Sequence, residues 1–355
     1  MNITFMIGNG FDLGCGLKTR YTDVYSEYIK TPSFTDLIAD FKETIAGDIS
    51  TWADFEMAMA GYASKFNSED DFVTCLRNFR KYTKKHVIKE QQMFWKRISN
   101  IESLKIELRL KMILFSALNN FYKLSTNNQN MLIESILPMY EDFYYYCINF
   151  NYTNIFEQLF LKYDNCAMET VHVHGDVEND IVLGIDNENQ LSNISYEITG
   201  KMRTAFIKPE YNTVVDRQRI EKATKTIAHS NVIVVFGLKL GESDQTWREA
   251  VLNWLISDEK HHLFFYSHKA MSETDVDPDE GLELERDYRK MVLSSWQLND
   301  DAINGISNQV HLPIGKNIFE ISKVLDELEA TENDRLEKIH QLNSINQSRA
   351  VGSLK

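Results

Sequence analysis

Residues 3–12 read ITFMIGNGFD, and no other stretch constrains the fold of this chain as much. The run from Ile3 to Ile7 is apolar and rich in β-formers, and it passes straight into Gly8-Asn9-Gly10 and then Phe11-Asp12. An uninterrupted apolar run of that length, bounded by glycines, predicts a strand covered on both faces. Glycines at the mouth of a following helix let the backbone turn sharply and approach another group closely, and the N–H groups of the helix start face negative charge. The pattern predicts a strand–turn–helix unit in which Gly8, Asn9 and Gly10 cradle a phosphate. Its bland alternative is a turn that simply packs backbone on backbone.

Later segments supply the neighbours such a strand needs. YYCINF (145–150) predicts a strand ending in Asn151-Tyr152-Thr153, and Asn154 with Glu157 then opens a helix carrying Ile155, Phe156, Leu159 and Phe160. Thr170 to Val173 predicts a short strand ending in His174-Gly175, and Ile181 to Leu183 another ending in Gly184. Arg217 to His229 has helical period. NVIVVFG (231–237) is the most strand-like segment, followed by a loop to Asp244 and a helix from Gln245 to Ile256. Leu263 to Tyr266 and Gln309 to Leu312 complete the predicted strands. The stretch 271–290 is acidic and reads as loop, 187–215 is polar and carries no assignment, and 318–345 is helical and highly charged.

Strands alternating with helices predict an α/β fold, with a Rossmann-like, mostly parallel sheet. Residues 33–140 interrupt it with helical period; Thr51 and Asp54 make a capping pattern there, and Trp52, Phe55, Glu56 and Met59 share a face. The expected organisation is an α/β nucleotide-binding core over 1–32 and 141–315, a helical insertion or cap over 33–140, and a C-terminal helix and tail over 316–355.

Charge and composition narrow the partners. A net charge of −14 argues against a dominant nucleic-acid partner, although a local basic patch remains open. No apolar run approaches the ~18 residues of a membrane span, and Met1-Asn2 leads into the first strand without a basic leader, so neither membrane nor signal peptide is expected. Cys15, Cys75, Cys147 and Cys166 are scattered with no CxxC pair, which fits a reducing cytoplasm.

In parallel α/β sheets ligands bind beyond the carboxyl ends of the strands, and the residues with chemistry fall there: Gly8 to Gly10, Asn151, His174-Gly175, and Gly237 to Asp244. Gly8, Gly10 and Gly14 are spaced G-x-G-x-x-x-G, one residue too long for a dehydrogenase fingerprint. The acid expected about 20 residues later is missing, since Asp23 and Glu27 lie in a helical pattern. Asp12 is suited to a ribose hydroxyl or to capping a helix. His174 is suited to proton transfer near neutral pH or to bonding a loop carbonyl. His172 shares its face if the strand is regular; with Asp176 the two histidines are a candidate metal pair that nothing else in the sequence completes, so no metal is expected. Asn149 and Asn151 can anchor a carboxamide or a water, or close a turn. Glu56 sits on an apolar face as a carboxylate with a raised pKa, or snorkels to solvent. Asp244 can hold ribose hydroxyls or cap a helix.

The order GNGFDLGCGLKTRYTD (8–23), WADFE (52–56), NFNYTNIFE (149–157), VHVHG (171–175), IVLGID (181–186) and FGLKLGESD (236–244) resembles the AbiH family of bacterial abortive-infection proteins. The resemblance implies defence against bacteriophage, with arrest or death of the infected cell. It extends more distantly to sirtuin-like NAD-binding domains. Carried over, it implies that Gly8 and Gly10 face the pyrophosphate, that a cofactor loop starts at Gly16-Leu17 and passes Thr19 and Tyr21, that Asn151 meets nicotinamide, and that His174 is the catalytic histidine. Gly175, Gly237 and Asp244 join Asn9 and Asp12 in the implied cofactor site. Lys18 replaces the sirtuin proline, Thr153 the aspartate and Lys239 a serine, and the zinc module is absent, which argues against protein deacylation. The expectation is a defence enzyme that binds NAD or NADP as substrate and hydrolyses its N-glycosidic bond. Its alternatives are a nucleotide-sensing module without chemistry and a metal-dependent nuclease or phosphohydrolase. A phage-derived trigger or partner protein and a homo-oligomer complete the expected partners.

Overall fold

The apolar runs assemble into one six-stranded sheet in which every paired strand is parallel. The computed structural model describes residues 1–47, 52, 54–101, 103–120, 142–164, 166, 168–191, 194–272, 276–315 and 317–352. The chain runs through β1 (Asn2–Ile7), α1 (Asn9–Gly14), α2 (Tyr21–Tyr28), α3 (Asp36–Gly47), α4 (Phe55–Tyr62), α5 (Glu69–Ser99) and α6 (Ser103–Asn120). There follow β2 (Tyr144–Asn149), α7 (Ile155–Asp164), β3 (Glu169–His172), α8 (Gly200–Phe206), α9 (Lys208–Val215), α10 (Arg217–His229) and β4 (Val232–Phe236). The last part holds α11 (Gln245–Ser257), β5 (His262–Tyr266), α12 (His268–Met271), α13 (Pro278–Ser295), α14 (Asp300–Ile306), β6 (Val310–His311) and α15 (Ile321–Gly352).

The strand order β3-β2-β1-β4-β5-β6 is that of a Rossmann-like fold, whose crevice lies where the order reverses, between β1 and β4. Pairing sets Ile7 level with Asn149 and with Phe236, and Asn149 level with His172. Gly8, Phe150, Val173 and Gly237 therefore leave the sheet along one edge.

Alternation along the strands feeds two cores. Ile3, Phe5, Ile7, Val234 and Phe236 pack beneath α6, α7 and the start of α15, where Phe11, Phe156 and Phe319 meet edge to face at 5.1–5.7 Å. Met6, Ile148, Ile233, Val235 and Phe265 face α10, α11, α13 and α14 on the other side. A third core joins Tyr25 of α2 and Phe41, Phe55 and Phe79 of the helical block to Ile181, Leu183 and Phe206. The helical block is thus seated on the segment between β3 and α9.

Two expectations change, and one unassigned stretch gains its structure. Ile181 to Leu183 is not a strand: it is buried, but Val182 N–H donates to the His174 carbonyl and Leu183 O accepts from Arg80, so its polar groups pair outside the sheet. Among the described residues, the ladder contact near it is an isolated bridge from Ile185 to Ile207. Most of 271–290 is not loop, because α13 starts at Pro278 and puts Tyr288 and Val292 on a buried face, where Glu285 also turns inward and accepts from Leu312 N–H at 3.1 Å, while Asp279, Glu280, Glu283 and Asp287 stay outside. The unassigned stretch 187–215 holds α8 and α9. Asp54 caps α4 by accepting from Met57 N–H at 3.2 Å; Thr51, and residues 121–141 of the expected insertion, lie outside the described residues. Among those described, no helix is long and apolar enough to cross a membrane.

Backbone contact between the first and fourth strand ends explains two glycines. A Cβ on Gly10 would lie 2.4 Å from Gly237 Cα, and Gly237 has φ +67°. Gly10→Ala is expected to destabilise the protein by about 2 kcal/mol, as overpacking does. Urea denaturation checks this, and an unchanged midpoint would contradict the close approach.

Candidate functional site

Under the glycine turn lies a closed polar network. Gly8 N–H donates to Phe236 O and Gly10 N–H to Gly237 O, each at 2.9 Å, so both amides expected to face a phosphate are taken by the β4 end. Asn151 Nδ2 donates to Gly8 O at 3.1 Å, and Asn151 N–H to Asn149 Oδ1 at 2.9 Å. Asn9 and Thr19 exchange hydrogen bonds at 2.6 and 3.1 Å, stapling the following loop back on the turn. Asp12, buried inside α1, accepts from Thr153 Oγ1 at 2.8 Å. Thr153 is therefore a donor to a buried carboxylate. His172 donates from Nδ1 to Asn151 O at 3.1 Å and from Nε2 to Glu157 Oε1 at 2.7 Å. Burial lowers the His172 pKa, but the Glu157 carboxylate outweighs it and holds the ring charged above its usual range.

Burial, reinforced by Glu157 and opposed by Thr153, pushes the Asp12 carboxyl up to about 7 from 3.8. The folded state thus binds a proton that the unfolded chain releases, so stability falls as pH rises from about 4 to 7 and is level above. The loss amounts to at most about 4 kcal/mol. Asp12→Asn keeps an acceptor for Thr153 and removes the titration. It is expected to melt above the wild type at pH 8 and together with it near pH 4.

The second cluster is where the two remaining strand ends meet the helical block. Lys208, at the start of α9, is buried; its Nζ donates to Ser243 O at 2.6 Å and contacts Glu56 Oε2 at 3.0 Å and Asp244 Oδ1 at 3.2 Å. Glu56 Oε1 accepts from Gly184 N–H at 3.1 Å, which settles its two readings in favour of the buried carboxylate. Gly184 has no room for a side chain, since its Cβ would sit 1.9 Å from Phe206 O. Asp186 Oδ2 accepts from Thr246 N–H at 2.7 Å at the start of α11. Asp244 makes no side-chain cap there, so its carboxylate is turned to Lys208 and His174 instead.

His174 stands edge-on to Phe150, with Nε2 buried, 3.3 Å from Asp244 Oδ1 and without an aligned hydrogen bond. Burial pushes Asp244 up, but the Lys208 ammonium and His174 overcome it and hold the carboxylate well below the usual range. Burial raises Glu56 and Asp186, with Lys208 opposing in each. Three carboxylates with opposed shifts thus stand around one ammonium, an arrangement common in acid–base sites. His174, Asp186, Lys208, Asn212, Thr246 and Trp247 line a cleft pinched to about 10 Å³, room for a single water.

The sequence-read residues divide between the two clusters. Gly8, Asn9, Gly10, Asp12, Asn151 and Thr19 belong to the network under the turn, while His174, Asp244 and Glu56 meet around Lys208. Tyr21 bridges them, stacking on Tyr25 and lying against Phe55, with the Tyr152 hydroxyl and Glu56 near its own buried hydroxyl. Gly175 is held against the chain itself, φ +76° with Asp180 O where a Cβ would go. His172 and His174 do not share a face, because β3 ends at His172 and the two rings turn to Glu157 and Asp244. Asp176 closes its own turn onto Asn179, and among the described residues no three His, Cys, Asp or Glu side chains converge as metal ligands. Lys208 and Asp186 were missed. Asp186 ends the IVLGID motif, whereas Lys208 lies in a stretch with no readable period.

No curated protein matches this chain. The family model described as bacteriophage abortive infection AbiH matches residues 4–266, which takes in β1 through β5, both polar clusters and the helical block. This chain therefore belongs to the AbiH family of bacteriophage abortive-infection proteins.

Proposed function

We propose that the protein arrests infected cells by hydrolysing the N-glycosidic bond of NAD or NADP in the cleft around His174. In that reaction the bond from ribose C1′ to the pyridinium nitrogen breaks, and its electron pair leaves with neutral nicotinamide. Water adds at C1′ and gives up a proton. The leaving group needs no acid; the reaction asks for negative charge beside an oxocarbenium-like sugar and a base for the water. Asp244, held ionised by Lys208, is suited to the first task, and His174 Nε2 to the second, with Asp244 stabilising the imidazolium that forms. Asp186 and Glu56 add acceptors for ribose hydroxyls. Asn151 acts as a positioning residue that ties β2 to the glycine turn. The observation that carries this reading is the buried His174 Nε2, set 3.3 Å from a carboxylate and free of an aligned hydrogen bond.

Entry of a nucleotide requires the Glu56–Lys208–Asp244 contacts to loosen, since the cleft now admits one water. That fits an activity restrained until infection. One observation favours the competing reading of a nucleotide sensor: the Gly8 and Gly10 amides are occupied by backbone. Incubating purified protein with NAD and NADP, with and without phage lysate, separates the two. Release of nicotinamide and the ADP-ribose product supports hydrolysis; ligand binding without product supports sensing.

A further inference from the structure

The outward face of α5 has a property that the cleft does not use. From Arg77 to Arg97 the helix carries eight Lys and Arg against one carboxylate, Glu90, in a chain of net charge −14. Glu90 is buried and accepts from Lys18 N–H at 2.9 Å, so it does not offset the surface cations. Arg77, Lys81, Lys85 and Lys89 recur at every fourth position and all are exposed. At 1.5 Å per residue they stand about 6 Å apart, and the row spans about 18 Å.

These cations are poorly matched by acids. Lys89 has a loose contact with Glu27 at 3.4 Å, and among the described residues Arg77, Lys81 and Lys85 have no carboxylate within ion-pair distance. Other exposed helices here set cations against acids one turn away, Lys225 on Glu221 and Lys338 on Asp334, each at 2.7 Å. In α5 the one-turn neighbours are themselves cations, an arrangement that destabilises a free helix and is relieved by a polyanion. The row also has an extension: His86 Nε2 donates to Lys18 O at 2.7 Å, fastening the exposed Lys18 and the loop toward Arg20 beside α5.

We propose that this face of α5 binds the phosphate backbone of a nucleic acid without regard to base sequence. A single row of cations one helical turn apart follows consecutive phosphates of one strand, and a row with Glu27 as its one acidic contact among the described residues suits a ligand that carries charge on every unit. The inward side of the same helix sends Arg80 to the carbonyls of Leu183 and Ala205, which flank the wall of the cleft. An occupied outer face therefore bears on the helix that buttresses the site. The inference does not depend on the chemistry proposed for the cleft.

The test is fluorescence anisotropy of the full chain with labelled 20-nucleotide single-stranded DNA, the same RNA and a DNA duplex, across salt concentration. Neutralising three to four phosphates predicts a slope of log K against log salt of about −2 to −4. Arg77→Glu with Lys81→Glu and Lys85→Glu is expected to weaken binding at least about tenfold and to flatten that slope, whereas Lys225→Glu with Lys338→Glu leaves both unchanged. If the charge-reversed protein does not fold, the Gln substitutions at the same three positions give the same readout. Preference among the three oligonucleotides identifies the strand type. The proposal is overturned if the wild type does not bind at low salt, or if the α5 variants bind as the wild type does. Equal binding of polyglutamate or of phosphatidylserine vesicles also overturns it, by assigning the face to an acidic protein or a membrane.

Discussion

His174→Ala is expected to reduce nicotinamide release by about 10²- to 10⁴-fold, the usual contribution of a positioned general base, while leaving the fold intact. The side chain packs edge-on to Phe150 and its buried Nε2 makes no aligned hydrogen bond, so its removal costs only the contact with Asp244, which Lys208 still holds. Its loss should spare ligand affinity, because ribose acceptors on Asp186 and Glu56 remain. Asp244→Asn serves as the companion variant: it keeps an oxygen toward Lys208 but removes the charge that faces His174 and the developing sugar cation. The measurement is nicotinamide by chromatography, beside NAD affinity by calorimetry. Wild-type turnover in either variant would remove the cleft from the reaction.

Lys208→Met is expected to be among the most destabilising single changes in this protein, about 3–5 kcal/mol, the range for breaking a buried ion pair by deleting one partner. Its ammonium touches Glu56 and Asp244 and lies in the field of Asp186, and burial leaves those carboxylates no water to replace it. The effect has a direction with pH. Without the cation the folded-state pKa values of the carboxylates rise further, so the variant loses stability as pH rises through that range and recovers part of it on acidification. Adding Glu56→Gln removes one orphaned charge and should restore part of the loss at pH 8. Thermal melts at pH 5 and pH 8 check both statements, and equal melting of variant and wild type at both would show the contact to be solvated.

The same cluster shows how far the chain was legible without coordinates. Strands β1, β4 and β5 were readable because they are covered on both faces, so burial writes an unbroken apolar run into the residues themselves; β2 is covered only in its second half and was readable from its aromatic, β-forming start. Helix α13 was not, because its acids, Glu285 among them, interrupt the apolar period that turns inward. Ile181 to Leu183 misled for a related reason: an apolar run records burial, not the hydrogen-bonding partner, and these residues pair with the cap and a turn. His174 and Asp244 were found through their position after strands, while Lys208 was not, since a lone lysine carries no mark of being buried.

The apolar runs and the glycines that end them were enough to determine a parallel α/β sheet with a helical block after its first helices, and to place Gly8, Asn151, His174 and Asp244 beyond its carboxyl edge. Both follow from local rules, strand burial and glycine's conformational freedom, that act on neighbours in the chain. Only tertiary structure decided that the Gly8 and Gly10 amides are satisfied by β4, that Asp186 caps α11 and so frees Asp244, and that Lys208 joins the cap to the core. Each of these depends on contacts between residues dozens to more than two hundred positions apart, where the energy lies in who is left to pair with whom once water is excluded.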